Sequence, residues 1–195
     1  MASNVDFRSA VMERWTVSAW TEGSGDAALV EAARDGDRAA FGLLYDRYAR
    51  MVHGVLLARA PYSDVDDLVQ DVFLLALRRL PSLRDPNSFG AWIAAIARNR
   101  AHDFHRRSRE DVELTEDVCA QEDLSRAAPE ADAASALGAI RSLPEAYRET
   151  LILRLVEGMT GPEIAARTGL TPGSVRVNLH RGMQQLREKL GYGSG

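Results

Sequence analysis

The chain has 195 residues, 46% of them hydrophobic, and a formal net charge of −4, enough apolar material for one large or two small cores. No apolar run reaches membrane-spanning length, the start lacks the basic-then-apolar pattern of a secretory leader, and the lone cysteine, Cys119, excludes an internal disulfide framework, so the expectation is a cytoplasmic protein. The charge is uneven: residues 27–107 carry net +2, residues 108–134 net −7 and residues 135–195 net +3, which sets two mildly basic blocks either side of a strongly acidic one.

Residues 1–26 have weak periodicity and read as an N-terminal extension whose Trp15 and Trp20 pack in cis or on a partner. A first helix starts near Asp26 with Leu29, Ala32 and Ala33 inward, and breaks at Asp35-Gly36-Asp37. A second, Ala39 to Ala60, repeats Phe41, Leu44, Tyr45, Tyr48, Val52 and Val55 at helical spacing and closes at Pro61. Its His53 reads as a half-buried packing residue. Ser63 is the expected cap of a third helix, with Val65, Leu68, Val69, Val72, Phe73, Ala76 and Leu77 as the buried stripe. Asp64, Asp66, Asp67, Gln70 and Asp71 crowd its first half, and Arg78 and Arg79 end it. Dipole complementarity accounts for that gradient and leaves open whether the acids also dock a basic partner.

Residues 81–87 form a proline-held loop, and Ser88 is the expected cap of a fourth helix with Phe89, Trp92, Ile93, Ile96 and Phe104 inward. Arg98, Arg100, Arg106, Arg107 and Arg109 then make either a phosphate track or a solvated helix end with favourable terminal charge. His102 and His105 share a face, but no acid or thiol completes a metal set, and no cofactor is expected. Residues 108–134 read as a flexible acidic linker with at most one helical turn, Cys119 being an incidental thiol.

Beyond the linker, Leu137 and Ile140 belong to one helix. Ser142-Leu-Pro-Glu145 has capping-box spacing and opens a helix through Glu157 with Tyr147, Leu151, Leu155 and Val156 inward, ended by Gly158. Thr160-Gly-Pro-Glu163 is a second capping box, starting a short helix that Gly169 stops in the left-handed conformation. Thr171 caps the last helix, with Pro172 in its first turn and Val175, Leu179, Met183, Leu186 and Leu190 along one stripe. Ser174, Val177, Arg181 and Gln184 fall on the opposite face, flanked by Arg176 and His180. A short helix, a glycine turn and a longer basic helix make a helix-turn-helix pattern, the other reading being an ordinary helical hairpin. Residues 191–195 are a tail.

DVDDLVQDVFLLALRRL, SFGAWIAAIARNRAHDFHRR and SLPEAYRETLILRLVEGMTGPEIAARTGLTPGSVRVNLHRGMQQLREKL together resemble the extracytoplasmic function class, group four, of the sigma-70 RNA polymerase sigma factors. The resemblance implies an all-α chain of two small helical domains joined by the acidic flexible linker: sigma region 2 at 27–107, the linker at 108–134, and a region 4 helix-turn-helix at 135–190. Asp67, Gln70 and Asp71 match the run that docks on the clamp coiled coil of core RNA polymerase. The loop 81–87 matches the minus-ten specificity loop, with Leu83 and Asn99 at the positions that hold an extruded base and Arg98, Arg100, Arg106 and Arg107 as nearby cations. Arg176, Val177, Asn178, His180 and Arg181 match the minus-thirty-five contact positions of the recognition helix. Arg176 is the candidate for a guanine edge or phosphate, Val177 for a thymine methyl, Arg181 for phosphate.

The expectation is therefore a non-enzymatic sigma factor whose partners are core RNA polymerase, promoter DNA and an anti-sigma factor. The acidic linker suits an RNA exit path, and in the free protein it is a candidate to mask the basic helices. Two alternatives stand beside this reading: a free-standing helix-turn-helix regulator of duplex operators, and, more remotely, a helical enzyme using the aspartate cluster with a metal.

Overall fold

In the computed structural model, residues 25–113 and 128–191 are described, with the side chains of 25–107 and 135–191; the extension, Cys119 and the masking segment of the linker lie outside them. The described residues form eight α-helices and no strand: α1 (Asp26–Arg34), α2 (Arg38–Leu57), α3 (Tyr62–Arg79), α4 (Phe89–Glu113), α5 (Ala128–Arg141), α6 (Glu145–Leu155), α7 (Gly161–Thr168) and α8 (Pro172–Lys189). Two 3-10 turns, Leu80–Ser82 and Pro86–Ser88, lie between α3 and α4.

Helix α2 is the axis of the first unit, packed on α1, α3 and α4. Gly36, at φ 95°, turns the chain after α1, and the Asp37 carboxylate accepts from the Ala39 and Ala40 N–H groups to start α2. Leu44, Met51, Val52, Val55 and Leu56 are fully buried along it. An aromatic run then ties the helices together: Phe41 meets Phe73 edge-on at 6.4 Å, Tyr45 tilts over Phe73 at 4.5 Å, and Tyr48 meets Phe89 at 5.2 Å. Tyr48 also donates its hydroxyl to Asp26, which pairs with Arg47. Burial first, then the Asp26 hydrogen bond and charge, raise the Tyr48 phenol well above its ordinary range.

In the second unit the expected start and stop signals of the helix-turn-helix are formed. Thr160 Oγ1 accepts from the Glu163 N–H while Glu163 accepts from the Thr160 N–H at 2.7 Å; Gly169 sits at φ 76°; Thr171 accepts from the Ser174 N–H. Val175 and Leu186 are buried, with Leu179 and Met183 partly so. Gly182 allows α8 to cross α6 closely, because a Cβ there would lie 3.0–3.1 Å from Leu151 and Tyr147.

Helix α6 is enclosed on more than one side. Leu151, Ile152 and Leu153 are consecutive and all fully buried, although steps of 100° point them in different directions. One side meets α8 and the other meets α2, so the two units lie directly against each other. Their fit is close: a Cβ on Gly54 of α2 would stand 2.7 Å from Leu153.

Several local expectations are corrected. Helix α3 starts at Tyr62, behind Pro61, and Ser63 bonds Asp64 at 2.9 Å instead of capping. Ser88 does not cap α4; its hydroxyl donates to the Asp85 carbonyl, and Asp85 caps the preceding 3-10 turn. The Ser142 capping box is not formed: Pro144 precedes α6 and Ser142 Oγ donates back to the Ala139 carbonyl. Leu77, Leu155, Val156 and Leu190 were expected inward and are exposed. Helices α4 and α5 run to Glu113 and from Ala128, so both ends of the expected linker are helical. His53 Nδ1 also makes a 2.6 Å hydrogen bond with Glu157, in addition to its packing.

Candidate nucleic-acid interface

The candidate residues fall on three surfaces. On α3, Asp67 and Gln70 are exposed and Asp71 half-buried, beside a pair of exposed leucines, Leu74 and Leu77. Val65, Leu68, Val69 and Val72 hold the other face of this helix in the core, which fixes the direction of the acids. Asp71 is ion-paired with Arg100 of α4. Asp71 is thereby tied to a residue of the basic helix.

The second surface is the turn between α3 and α4. Arg34 of α1 reaches across to it, donating Nε to the Leu80 carbonyl at 3.2 Å and an Nη to the Leu83 carbonyl, while Glu31 orients it at 2.7 Å. Leu83 is 6% exposed, its side chain in the core. Pro81, Ser82, Arg84, Asp85 and Asn87 of this turn are exposed. On α4, Asn99, Arg106 and Arg107 are exposed, and Arg106 lies 3.4 Å from Asp103. Arg98 points elsewhere, toward the second unit. His102 is exposed and His105 bonds the Arg59 carbonyl; among the described residues no group of His, Cys, Asp and Glu is placed to hold a metal.

The third surface is the outer face of α8. Arg176, Val177, His180 and Arg181 are exposed and Asn178 half-buried, opposite the Val175–Leu186 stripe. Val177 is 42% exposed, with its apolar side chain free on a polar face.

Between the units lies a charged network that periodicity did not point to. Glu149 of α6 is 5% exposed and is held by two arginines of the first unit. Arg98 grips it with both ends of its fork, Nε to Oε2 at 3.0 Å and Nη2 to Oε1 at 2.7 Å. Arg59 adds a bond to Oε2 at 2.7 Å and another to Glu145 at 2.6 Å. Burial pushes the Glu149 carboxyl up, but the Arg98 hydrogen bond and charge, then the Arg59 charge and hydrogen bond, outweigh it and hold the group below the ordinary carboxylate range. Nearby, His53 Nδ1 meets Glu157 at 2.6 Å, and that bond raises the His53 pKa against the opposing effect of burial. Arg141 and Arg148 of the second unit donate to the Leu57, Ala58 and Ala60 carbonyls at the end of α2.

The Sigma-70 region 2 family matches residues 44–110, and the Sigma-70 region 4 family matches residues 133–186. The chain is 31% identical to the ECF RNA polymerase sigma-E factor of Haemophilus influenzae over 182 residues, covering 85% of this chain and 95% of that one. It belongs to the extracytoplasmic function sigma factors. The RNA polymerase sigma factor CarQ of Myxococcus xanthus is 34% identical, over 83% of this chain and 95% of CarQ. Among solved structures, CnrH in complex with the cytosolic domain of CnrY superposes with a TM-score of 0.60 at 28% identity, covering 88% of this chain and all of that chain. RpoE of Bartonella quintana, solved with the anti-sigma factor NepR, shares the fold at a TM-score of 0.50.

As a sigma factor of this class, the chain is an alternative specificity subunit that directs transcription initiation by RNA polymerase. The free-standing regulator is not favoured, because region 2 accounts for the unit that such a regulator would use for sensing. The class is not one of catalytic enzymes, and no helix among the described residues is long and apolar enough to cross a membrane.

Proposed function

We propose that residues 27–107 dock on core polymerase and engage the minus-ten element, that residues 135–190 read the minus-thirty-five element, and that the chain works by binding alone in the cytoplasm, without catalysis. The observation that carries this reading is the two-faced build of α3 and α8. Each buries an apolar stripe in its own unit and leaves a chemically distinct outer face: carboxylates with Leu74 and Leu77 on α3, arginines with Val177 on α8. A carboxylate face suits a basic protein surface, and an arginine face with a free valine suits a major groove.

On α3, Asp67 and Gln70 supply the polymerase contact directly, while Asp71 both faces it and steadies Arg100. At the minus-ten turn the buried Leu83 side chain shapes the floor, and the exposed Arg84, Asn87 and Asn99 are the polar groups that reach a splayed base. Arg106 and Arg107 track phosphate, as does Arg98 once it leaves Glu149. On α8, Arg176 reads an edge, Val177 touches a thymine methyl, and Asn178, His180 and Arg181 fix the register. CnrH is held by the cytosolic domain of CnrY, and RpoE of Bartonella quintana by NepR. A protein inhibitor acting on this chain is the corresponding partner.

The test is multi-round transcription with purified core enzyme and a randomised promoter library. The reading predicts enrichment of promoters with two conserved blocks, and relaxed preference at one base pair of the upstream block for Arg176→Ala. Initiation without an upstream preference would contradict it.

A further inference from the structure

We propose that Arg34 is the positioning residue of the minus-ten turn: its guanidinium holds the turn in the shape that selects the downstream promoter bases. The inference rests on the reading that residues 81–87 engage the minus-ten element, and it names a residue outside that turn on which the base preference depends.

The turn is built from two pieces, each closed on itself. In the first, the Leu83 N–H donates to the Leu80 carbonyl at 3.1 Å and the Ser82 hydroxyl to the Arg79 carbonyl at 2.6 Å. In the second, the Asp85 carboxylate accepts from the Asn87 N–H at 3.0 Å and from the Asn87 side-chain amide at 3.2 Å. The Ser88 N–H and hydroxyl both donate to the Asp85 carbonyl, at 3.0 and 2.7 Å. The chain passes from one piece to the other through Leu83, whose backbone is extended at φ −68° and ψ 116°, and the exposed Arg84. Two short turns joined in this way keep backbone freedom at the joint unless a neighbouring element removes it. The buried Leu83 side chain fixes the joint from inside the core. Its carbonyl is fixed by Arg34.

Arg34 comes from α1, which lies against both 3-10 turns. That helix is itself anchored by the fully buried Leu29 and Val30 and by the bonds of Asp26 to Arg47 and Tyr48. Arg34 Nε donates to the Leu80 carbonyl at 3.2 Å and Nη2 to the Leu83 carbonyl, while Nη1 donates to Glu31 at 2.7 Å. The two carbonyls stand at the start of the first piece and at the joint, so one rigid plane holds both. Glu31, one helical turn earlier, sets the direction of that plane from its other side. A guanidinium suits the task because its donors are fixed in a planar fork; an ammonium offers a single point of charge. The grip is on backbone oxygens, so it sets the course of the turn and leaves the side chains of Arg84 and Asn87 free to face DNA. All three nitrogens of the Arg34 fork are engaged within the protein and its side chain is 19% exposed, which makes it a holder of the turn and not a phosphate contact.

The test is transcription by core polymerase reconstituted with the full chain, on promoters randomised in both elements, for wild type, Arg34→Gln, Arg34→Lys and Glu31→Ala. Arg34→Gln is expected to flatten the downstream base preference at least about fivefold, the lower end of what one base contact contributes. The upstream preference and the salt dependence of promoter binding should stay as in wild type. Arg34→Lys keeps the charge without the fork and should flatten the preference nearly as much. Glu31→Ala should flatten it less. Far-UV circular dichroism reports whether the helices are kept; Glu31 is 57% exposed, so Glu31→Ala carries the test if Arg34→Gln unfolds. A downstream preference unchanged in Arg34→Gln and Glu31→Ala would overturn the positioning role. So would full recovery by Arg34→Lys, or a salt slope lowered by about one in Arg34→Gln, since either makes Arg34 a charge for DNA. The double variant Asn87→Ala with Asn99→Ala separates the inference from the reading beneath it. Loss of downstream preference there, with none in Arg34→Gln, overturns the inference alone. No loss in either withdraws the turn from the minus-ten element, and the role of Arg34 with it.

Discussion

Arg100 of α4 and Asp71 of α3 form an ion pair, so one contact joins the helix assigned to the minus-ten element with the helix assigned to polymerase. Asp71 is 45% exposed and Arg100 25%, which places the pair within reach of solvent screening. A double-mutant cycle with Asp71→Asn and Arg100→Gln should give a stability coupling of about 0.5–1 kcal/mol. In core-binding assays, Asp71→Asn should weaken assembly and Arg100→Gln should not. Equal loss from both would make the pair a single structural unit and not a meeting of two surfaces.

The pairing of His53 with Glu157 predicts a dependence on alkaline pH. The groups facing His53 are Glu157 from the end of the α6 turn and Asp66 from α3, both acidic, and together they favour its protonated form. A raised pKa in the folded state means that this contribution is complete below the unfolded value of 6.5 and fades as pH rises through the folded one. Thermal melts from pH 6 to 9 should show stability declining across that window, and His53→Ala should flatten the decline. A rise in stability with pH that depends on His53 would contradict the pairing.

Gly169 tests the helix-turn-helix and its seat on α4 together. Its φ of 76° is costly for a side chain, and a Cβ there would crowd Ala91. Gly169→Ala should destabilise the protein by about 1–2 kcal/mol from backbone strain alone. The crowding adds to that figure. Ala91→Gly in the same chain should recover the crowding part and leave the backbone part, a split that chemical denaturation can measure.

Arg176 and Arg181 share the outer face of α8 but are assigned different roles. Arg176→Ala should cost about 1–3 kcal/mol and relax preference at one base pair. Arg181→Ala should weaken all upstream sequences alike and lower the slope of log affinity against log salt by about one. Competition binding of holoenzyme at several salt concentrations distinguishes the two.

How far these features could be read in advance depended on the range of the interaction. The caps at Thr160, Gly169 and Thr171 are local, with donor, acceptor and backbone conformation all within a few residues, and they form as the sequence indicates. The Ser142 box has the same spacing and fails, because Pro144 starts α6 later and the Ser142 hydroxyl finds the Ala139 carbonyl behind it. Periodicity also overreached at helix ends: Leu77, Leu155 and Leu190 lie on apolar stripes that run past the neighbours able to cover them. Glu149 and His53 could not be found this way. Their partners are 51 and 104 residues distant, and an acid on one helix says nothing of an arginine on another until the units meet. The only hint was Glu149 itself, a charge two residues before the apolar run Leu151-Ile152-Leu153.

The most direct measurement of the central claim is promoter-directed transcription by core RNA polymerase with the purified chain, set beside the variant carrying both Asp67→Arg and Asp71→Arg. The wild-type chain should initiate at a defined promoter class, and the doubly reversed chain should neither assemble with core enzyme nor initiate while keeping its helical content. Initiation undiminished by the charge reversal, or no initiation by the wild-type chain, would contradict the account.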